Sequence, residues 1–393
     1  MALALAGAAC AGATHPSIPV VPLAHGPREM PDDQQIHHAL SRLTFGPRPG
    51  DYQRVRAMGL DRWIGEQLTP GAIADDSVDR FLARYPAIAL SDTALARIYG
   101  VPGDLRKAGG AAPDTMAIRA ADRASAQVIA QLREAKVARA VLSDRQLLET
   151  MVDFWENHFS IFADKGSDRY MLVAYDRDIR RHALGRFRDL LGAVAHSPAM
   201  LFYLDNWQSR ADSTHVTLTE LEAYGRSLAA QRDYERARSR VVMDRAGNVT
   251  VGDPRARPPA PYRRPVRRGP GLNENYGREL LELHTLGVDG GYTQQDVIEA
   301  SRVLTGWTIR DPNHVGTFYF NPALHDAESK VVLGQQFPAG HGEDEGERLL
   351  DMLSREPATA HFIALKLCRR FVADSPATEL VQRAAATFTR TDG

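Results

Sequence analysis

A mainly α-helical fold, a multi-helix globular array with one small antiparallel β element near residues 305–335, is predicted by three observations. Apolar residues recur at three- and four-residue steps through most of the chain. Glycine and proline punctuate those stretches and separate one helix from the next. Short strand-like runs are confined to GWTI, TFYF and KVVLG, each bounded by turns.

In chain order, Ile36, Ala39, Leu40 and Leu43 define a first amphipathic helix that stops in FGPRPGD. Leu60, Trp63, Ile64 and Leu68 define a second, closed by Thr69-Pro70. Helical patterns follow over residues 76–85 and, after the loop AGGAAPD, over 115–140. The spacing of Leu147, Met151, Trp155, His158 and Phe162 predicts an aromatic helix over 143–162 with Ser143 as N-cap and His158 on the buried stripe. A single helix is expected over 170–191, and HSPAMLFYLDN carries an apolar run into Asp205-Asn206. A helix over 274–286 ends at Gly287 as a left-handed C-cap, and Thr293 with Asp296 starts the next in the manner of a capping box. Val297, Ala300, Ser301 and Leu304 form the inner face of that helix. Beyond the strands, helices are expected over 346–354, 358–372 and from Thr378.

The chain divides into a signal-like stretch (1–13), an extended Pro-rich leader (14–31), a helical N-terminal part (32–208), an Arg-rich insertion or long loop (209–270), and a helical C-terminal part with the β element (271–393). In the first stretch, MALALAGAACAGA, Ala11 and Ala13 offer a small-residue cleavage site before Thr14, although the usual basic start is missing. This predicts export, to the periplasm or cell envelope. Cleavage would remove Cys10 and leave Cys368, so neither a disulfide framework nor a cysteine metal site is expected. With 44% hydrophobic and 25% charged residues the composition is globular, and a net charge of −1 gives no global reason to expect nucleic acid or an anionic membrane as a partner. No apolar run is long enough for a transmembrane segment.

Candidate chemistry concentrates on the helix NENYGRELLELHTL. Leu280, Leu283 and Leu286 are expected to face inward, Glu279 and Glu282 share a face, Arg278 and Glu282 are spaced to pair, and His284 projects close to the apolar side. Glu279, Glu282 and His284, joined by His158, are the candidate catalytic groups, for proton transfer or for a divalent metal. Against that stands a buried polar network that only fixes helix packing; the spacing matches no H-E-x-x-H motif. Asn273, Glu274, Arg278, Asp205 and Asn206 are candidate binding residues. His325-Asp326, read as an exposed pair after a strand, is a further candidate for a metal or base, or else a turn. The acidic run 341–347 reads as a helix N-terminus rather than a calcium loop. P-loop, GxGxxG, G-x-S-x-G and zinc-ribbon patterns are absent from the sequence.

These motifs together, HALSRLTFGPRPGD, FWENHF, LLGAVAHSPAMLFYLDNWQS, LNENYGRELLELHTLGVDGGYTQQDV, LTGWTI and HDAESKVVLG, resemble the bacterial DUF1800 family (domain of unknown function 1800) from about Ile36 onward, apart from the Arg-rich insertion. The resemblance implies export and a co-exported sulfatase-like protein as partner; it brings no activity, cofactor or catalytic residue. It also implies a C-terminally incomplete chain, since similar proteins continue beyond TFTRTDG. Three functions are therefore expected in competition: a metal-assisted hydrolase using the Glu/His cluster, a non-catalytic helical scaffold for the sulfatase-like partner, and envelope or glycan binding through the insertion.

Overall fold

Helix α1 (Asp32–Leu43) buries Ile36, Ala39 and Leu40, the positions its periodicity selects. They close on Val55 of α2 (Asp51–Met58) and Trp63 of α3 (Leu60–Gln67) in a small core of their own. The computed structural model describes residues 30, 32–99, 115–163, 165, 168–243, 248–253, 256–266, 271–310 and 316–393. The signal-like stretch and the leader, Met30 excepted, lie outside these residues, as do the loop 108–114 and residues 246 and 247 of the expected hairpin turn. Helices α4 (Asp76–Leu82), α5 (Asp92–Tyr99) and the long α6 (Thr115–Leu142) follow.

The main core forms around α7 (Gln146–His158), which buries Leu147, Met151, Val152, Phe154, Trp155 and His158. This helix is shorter than its sequence pattern. Ser143 is not its N-cap: its hydroxyl donates to Asp75 Oδ2 at 2.6 Å and accepts from Arg145 N at 3.0 Å. The free first-turn amide of Leu147 instead donates to Gln67 Oε1 at 3.0 Å, a partner eighty positions away. Beyond His158 the chain leaves the helix at Phe159, and Phe162 is exposed.

The single helix expected over 170–191 is two, α8 (Met171–His182) and α9 (Phe187–Ala195). The break falls at Gly185, a poor helix former, and Arg186 is extended. The carbonyl of Ala183 accepts Trp155 Nε1 at 2.9 Å, so an α7 side chain satisfies a group that the break leaves free. Helix α10 (Pro198–Tyr203) follows, and Asp205 turns the chain in the left-handed region at φ 59°.

Where composition suggested a loop, Leu218–Ser239 form a 22-residue helix, α11, started by a capping box between Thr217 and Glu220. The hairpin expected after it is present as β1 (Val241–Met243) paired antiparallel with β2 (Val249–Val251). Helix α12 (Asn275–Glu279) runs directly into a π-helical turn, Leu280–Thr285, and Gly287 ends it at φ 84°. Helix α13 (Gln294–Val303) has the expected Thr293–Asp296 capping box and inner face. The β element is β3 (Trp307–Arg310) against β4 (Thr317–Phe320), then β5 (Lys330–Val332) against β6 (Gln335–Phe337), all antiparallel. Helices α14 (Glu343–Arg355), α15 (Pro357–Phe371) and α16 (Thr378–Arg390) close the chain, α14 drawing the acidic residues Glu343, Asp344 and Glu345 into its first turn as expected. No helix among the described residues is long and apolar enough to cross a membrane.

Candidate functional site

The segment LLELHT closes with five-residue rather than four-residue bonds. Leu286 N donates to Leu281 O at 2.9 Å, and the Thr285 hydroxyl reaches Leu280 O at 2.6 Å. This widening rotates the side chains away from the regular period. Leu281, His284 and Thr285 turn into the core, while Leu283, expected inside, is exposed. Gly277 fixes the approach of α12 to α13, because a Cβ there would lie 2.1 Å from Ser301 Oγ.

The π turn, the end of α7 and the middle of α15 wall a cavity of about 310 Å³. His158, His284, Glu279, Tyr203 and Lys366 line it. Lys366 Nζ lies 2.7 Å from His158 Nδ1, and His158 Nε2 lies 3.1 Å from His284 O. An ammonium can only donate, so Nδ1 accepts from Lys366 and the Nε2–H donates to the carbonyl: His158 is held neutral in one tautomer. Burial, then the Lys366 charge, and then His284 place its pKa well below the usual histidine value. His284 is lowered to about 3 by burial and then by Lys366, and its Nδ1 has no hydrogen-bond partner among the described residues. Burial also lowers the Lys366 amine, which sits 5.2 Å from the centre of the Phe362 ring. No carboxylate among the described residues lies within ion-pair distance of Lys366. Glu279 is raised, first by burial and then by the Glu282 charge.

Of the four candidate catalytic residues, His158, His284 and Glu279 thus meet at one cavity. Glu282 does not join them: its Oε2 accepts the Tyr292 hydroxyl at 3.0 Å. Arg278 pairs with Glu274 at 3.3 Å and Gln294 at 2.8 Å rather than with Glu282. Among the described residues no group of three or more His, Cys, Asp or Glu side chains is placed to hold a metal ion.

The other binding candidates separate into a surface group and a buried one. Asp205, Asn273 and Glu274 line a second cavity of about 540 Å³, where Lys165 pairs with Asp205 at 2.9 Å. Asn206 is fully buried, its amide donating to Leu304 O and Trp307 O at 3.2 and 2.9 Å, which ties the α10 exit to β3. His325 and Asp326, expected to be exposed, are both 0% exposed. Asp326 takes Arg302 at 2.7 Å, Lys330 pairs with Glu345 at 2.6 Å, and His325 Nδ1 lies 2.7 Å from Thr305 O. The start of α11 covers this pair: Thr217 bridges to Asp326, and Leu218 N donates to His325 O at 3.1 Å.

Lys366 escaped the sequence reading. Its signal was its rarity: the chain takes arginine as its default cation and holds only five lysines. Lys136, Lys330 and Lys366 all carry close partners in partly or fully buried settings.

Residues 38–393 match the family model described as protein of unknown function (DUF1800). No match was found among curated proteins, and none among solved structures.

Proposed function

This chain belongs to the DUF1800 family, and we propose that the cavity between α7, the π turn and α15 is a catalytic pocket that hydrolyses a small polar substrate. The observation that carries this reading is the 2.7 Å contact of Lys366 Nζ with His158 Nδ1 at the cavity. A half-buried amine whose charged form is disfavoured is a base closer to neutral pH, and a neutral imidazole beside it can take or pass on the same proton. Glu279, with its carboxyl raised, supplies an acid on the same wall. In the metal-assisted form of this reading, Glu279 and His284, which line the same cavity, are the protein groups available as donors.

The test uses the full chain, prepared after chelation and separately with zinc, manganese or magnesium, against nitrophenyl esters, phosphates, sulfates and glycosides. Turnover that falls roughly 100-fold or more in Lys366→Met and His158→Gln is the expected result. Equal rates in these variants would remove the pocket from the chemistry. Dependence on added metal, lost in His284→Ala, would select the metal-assisted form.

A second reading, a non-catalytic scaffold for a co-exported sulfatase-like protein, is favoured by a different observation. His158 and His284 are 5% and 4% exposed, and their side chain-to-backbone bond also fastens α7 to the π turn. Co-purification from the native host tests this reading, and recovery of the protein alone at every salt concentration counts against it. In both readings the protein works in the periplasm or cell envelope, on the strength of the apolar stretch 1–13.

A further inference from the structure

Of the five lysines in the chain, Lys107 lies outside the described residues, and three of the other four are ion-paired. Lys136 meets Glu156 and, at 3.3 Å, Asp153; Lys165 meets Asp205 at 2.9 Å; Lys330 meets Glu345 at 2.6 Å. A carboxylate partner favours the ammonium form, which has no lone pair to share. Lys366 is the exception. No carboxylate among the described residues lies within ion-pair distance of it, and its polar contact is the ring nitrogen Nδ1 of His158 at 2.7 Å. Burial lowers this amine with no opposite charge to offset it.

The hydrogen-bond chain fixes how the amine is presented. His158 Nε2–H donates to His284 O at 3.1 Å, which leaves Nδ1 to accept one N–H of Lys366. In its neutral form the amine keeps a second N–H and a lone pair, neither with a partner among the described residues. Lys366 lines the cavity of about 310 Å³ together with Met200, Leu204 and Phe362. That volume suits a small molecule, and the apolar walls limit the water that competes for it.

We propose that Lys366 is a nucleophile that holds a small aldehyde or ketone in this cavity as an imine, with His158 Nδ1 as the proton carrier. The nitrogen lone pair bonds to the carbonyl carbon as the π pair of the C=O bond moves to oxygen. One amine proton passes through Nδ1 to that oxygen and gives a carbinolamine. The nitrogen pair then closes the C=N bond, the C–O bond breaks, and the second amine proton leaves with the oxygen. One water is released, and nothing is oxidised or reduced. An ester in the same place would leave the amine as a stable amide, whereas water reverses an imine, so the chemistry selects an aldehyde or ketone. This goes beyond the hydrolytic reading and does not rest on it, since there the same amine is only a base.

The full chain, incubated at about pH 7 with butanone and sodium cyanoborohydride, tests the proposal, because an ordinary lysine is almost wholly protonated there. The hydride reduces an imine to a stable secondary amine, which peptide mass spectrometry assigns to its lysine. Lys366 is expected to label at least roughly tenfold faster than any other lysine. Unfolding in urea is expected to erase that preference. His158→Gln is expected to slow the labelling of Lys366 roughly tenfold, with an unchanged circular dichroism spectrum. A native Lys366 that labels no faster than in urea overturns the proposal, even where nitrophenyl substrates are hydrolysed. Labelling of Lys366 without any such hydrolysis supports it and overturns the hydrolytic reading alone. An undiminished rate in His158→Gln overturns the proton-carrying step.

Discussion

Two clusters in this protein hold a lysine, a histidine and a carboxylate within a few side chains of one another, and they differ in how charge is balanced. Around β5, Lys330 meets Glu345 at 2.6 Å and Asp326 O at 2.5 Å, with Arg302 pairing Asp326 alongside. Every cation there has a carboxylate. In the cavity, Lys366 meets only a neutral ring nitrogen, and His284 Nδ1 meets nothing among the described residues. Burial lowers both amines, Lys330 fully enclosed and Lys366 in part, and compensation sets them apart: a paired buried charge is a structural fastening, whereas an uncompensated amine beside a cavity keeps its proton loosely.

The largest expected effect breaks the compensated cluster. Lys330→Met leaves Glu345 charged and unpaired in the interior and costs about 3–5 kcal/mol, read from urea unfolding. The double variant Lys330→Met/Glu345→Leu recovers most of that loss; if it does not, the cluster holds the fold by more than charge pairing. Next, Gly277→Ala sets a Cβ 2.1 Å from Ser301 Oγ and 2.8 Å from Ser301 N. It is expected to cost about 1–3 kcal/mol and to move the π turn, seen as a shift in His284 resonances. A melting curve that matches the parent protein would show that α12 and α13 are not clamped there.

The pH response sharpens the comparison from the cavity side. His284 has a folded pKa of about 3, below its unfolded value, and His158 is shifted the same way. Below about pH 6.5 the unfolded chain binds protons that the folded chain refuses, so the stabilisation from His284 is full above that pH and is lost as pH falls toward 3, and that from His158 changes in the same direction. His284 contributes a slope of about 1.4 kcal/mol per pH unit within its window, which His284→Leu is expected to remove. An unchanged slope in urea midpoints between pH 6 and 4 would mean that water reaches the ring. The smallest effect is that of Lys366→Met. Removing an uncompensated half-buried cation changes stability by less than about 1 kcal/mol and raises the His158 pKa, as followed by imidazole proton shifts. A loss as large as that of Lys330→Met would erase the distinction between the clusters.

Sequence periodicity reported the regular helices well, because a face buried at 3.6-residue spacing writes itself into the order of apolar residues. Ile36, Ala39 and Leu40 are where the pattern places them, and so is the Thr293–Asp296 capping box. It failed where the geometry is irregular. The π turn exposes Leu283 and buries Leu281, and no local residue announces the extra residue in the turn. The α8–α9 break is stabilised by Trp155, far away in sequence. The candidate site was legible in part: His158, His284 and Glu279 meet, while Lys366 comes from a helix some eighty positions beyond the others, in a stretch that read as ordinary packing.

By itself, then, the sequence determined the helical class, the family, and the identity of the segment 273–297 as the densest group of chemistry-bearing residues. Tertiary structure decided what those residues are for. Whether a histidine is neutral, whether a lysine has a counter-charge, and whether His325-Asp326 is exposed or sealed depend on what the other helices bring against them. Desolvation and Coulomb interactions act over a few ångströms of space, with no regard for separation along the chain.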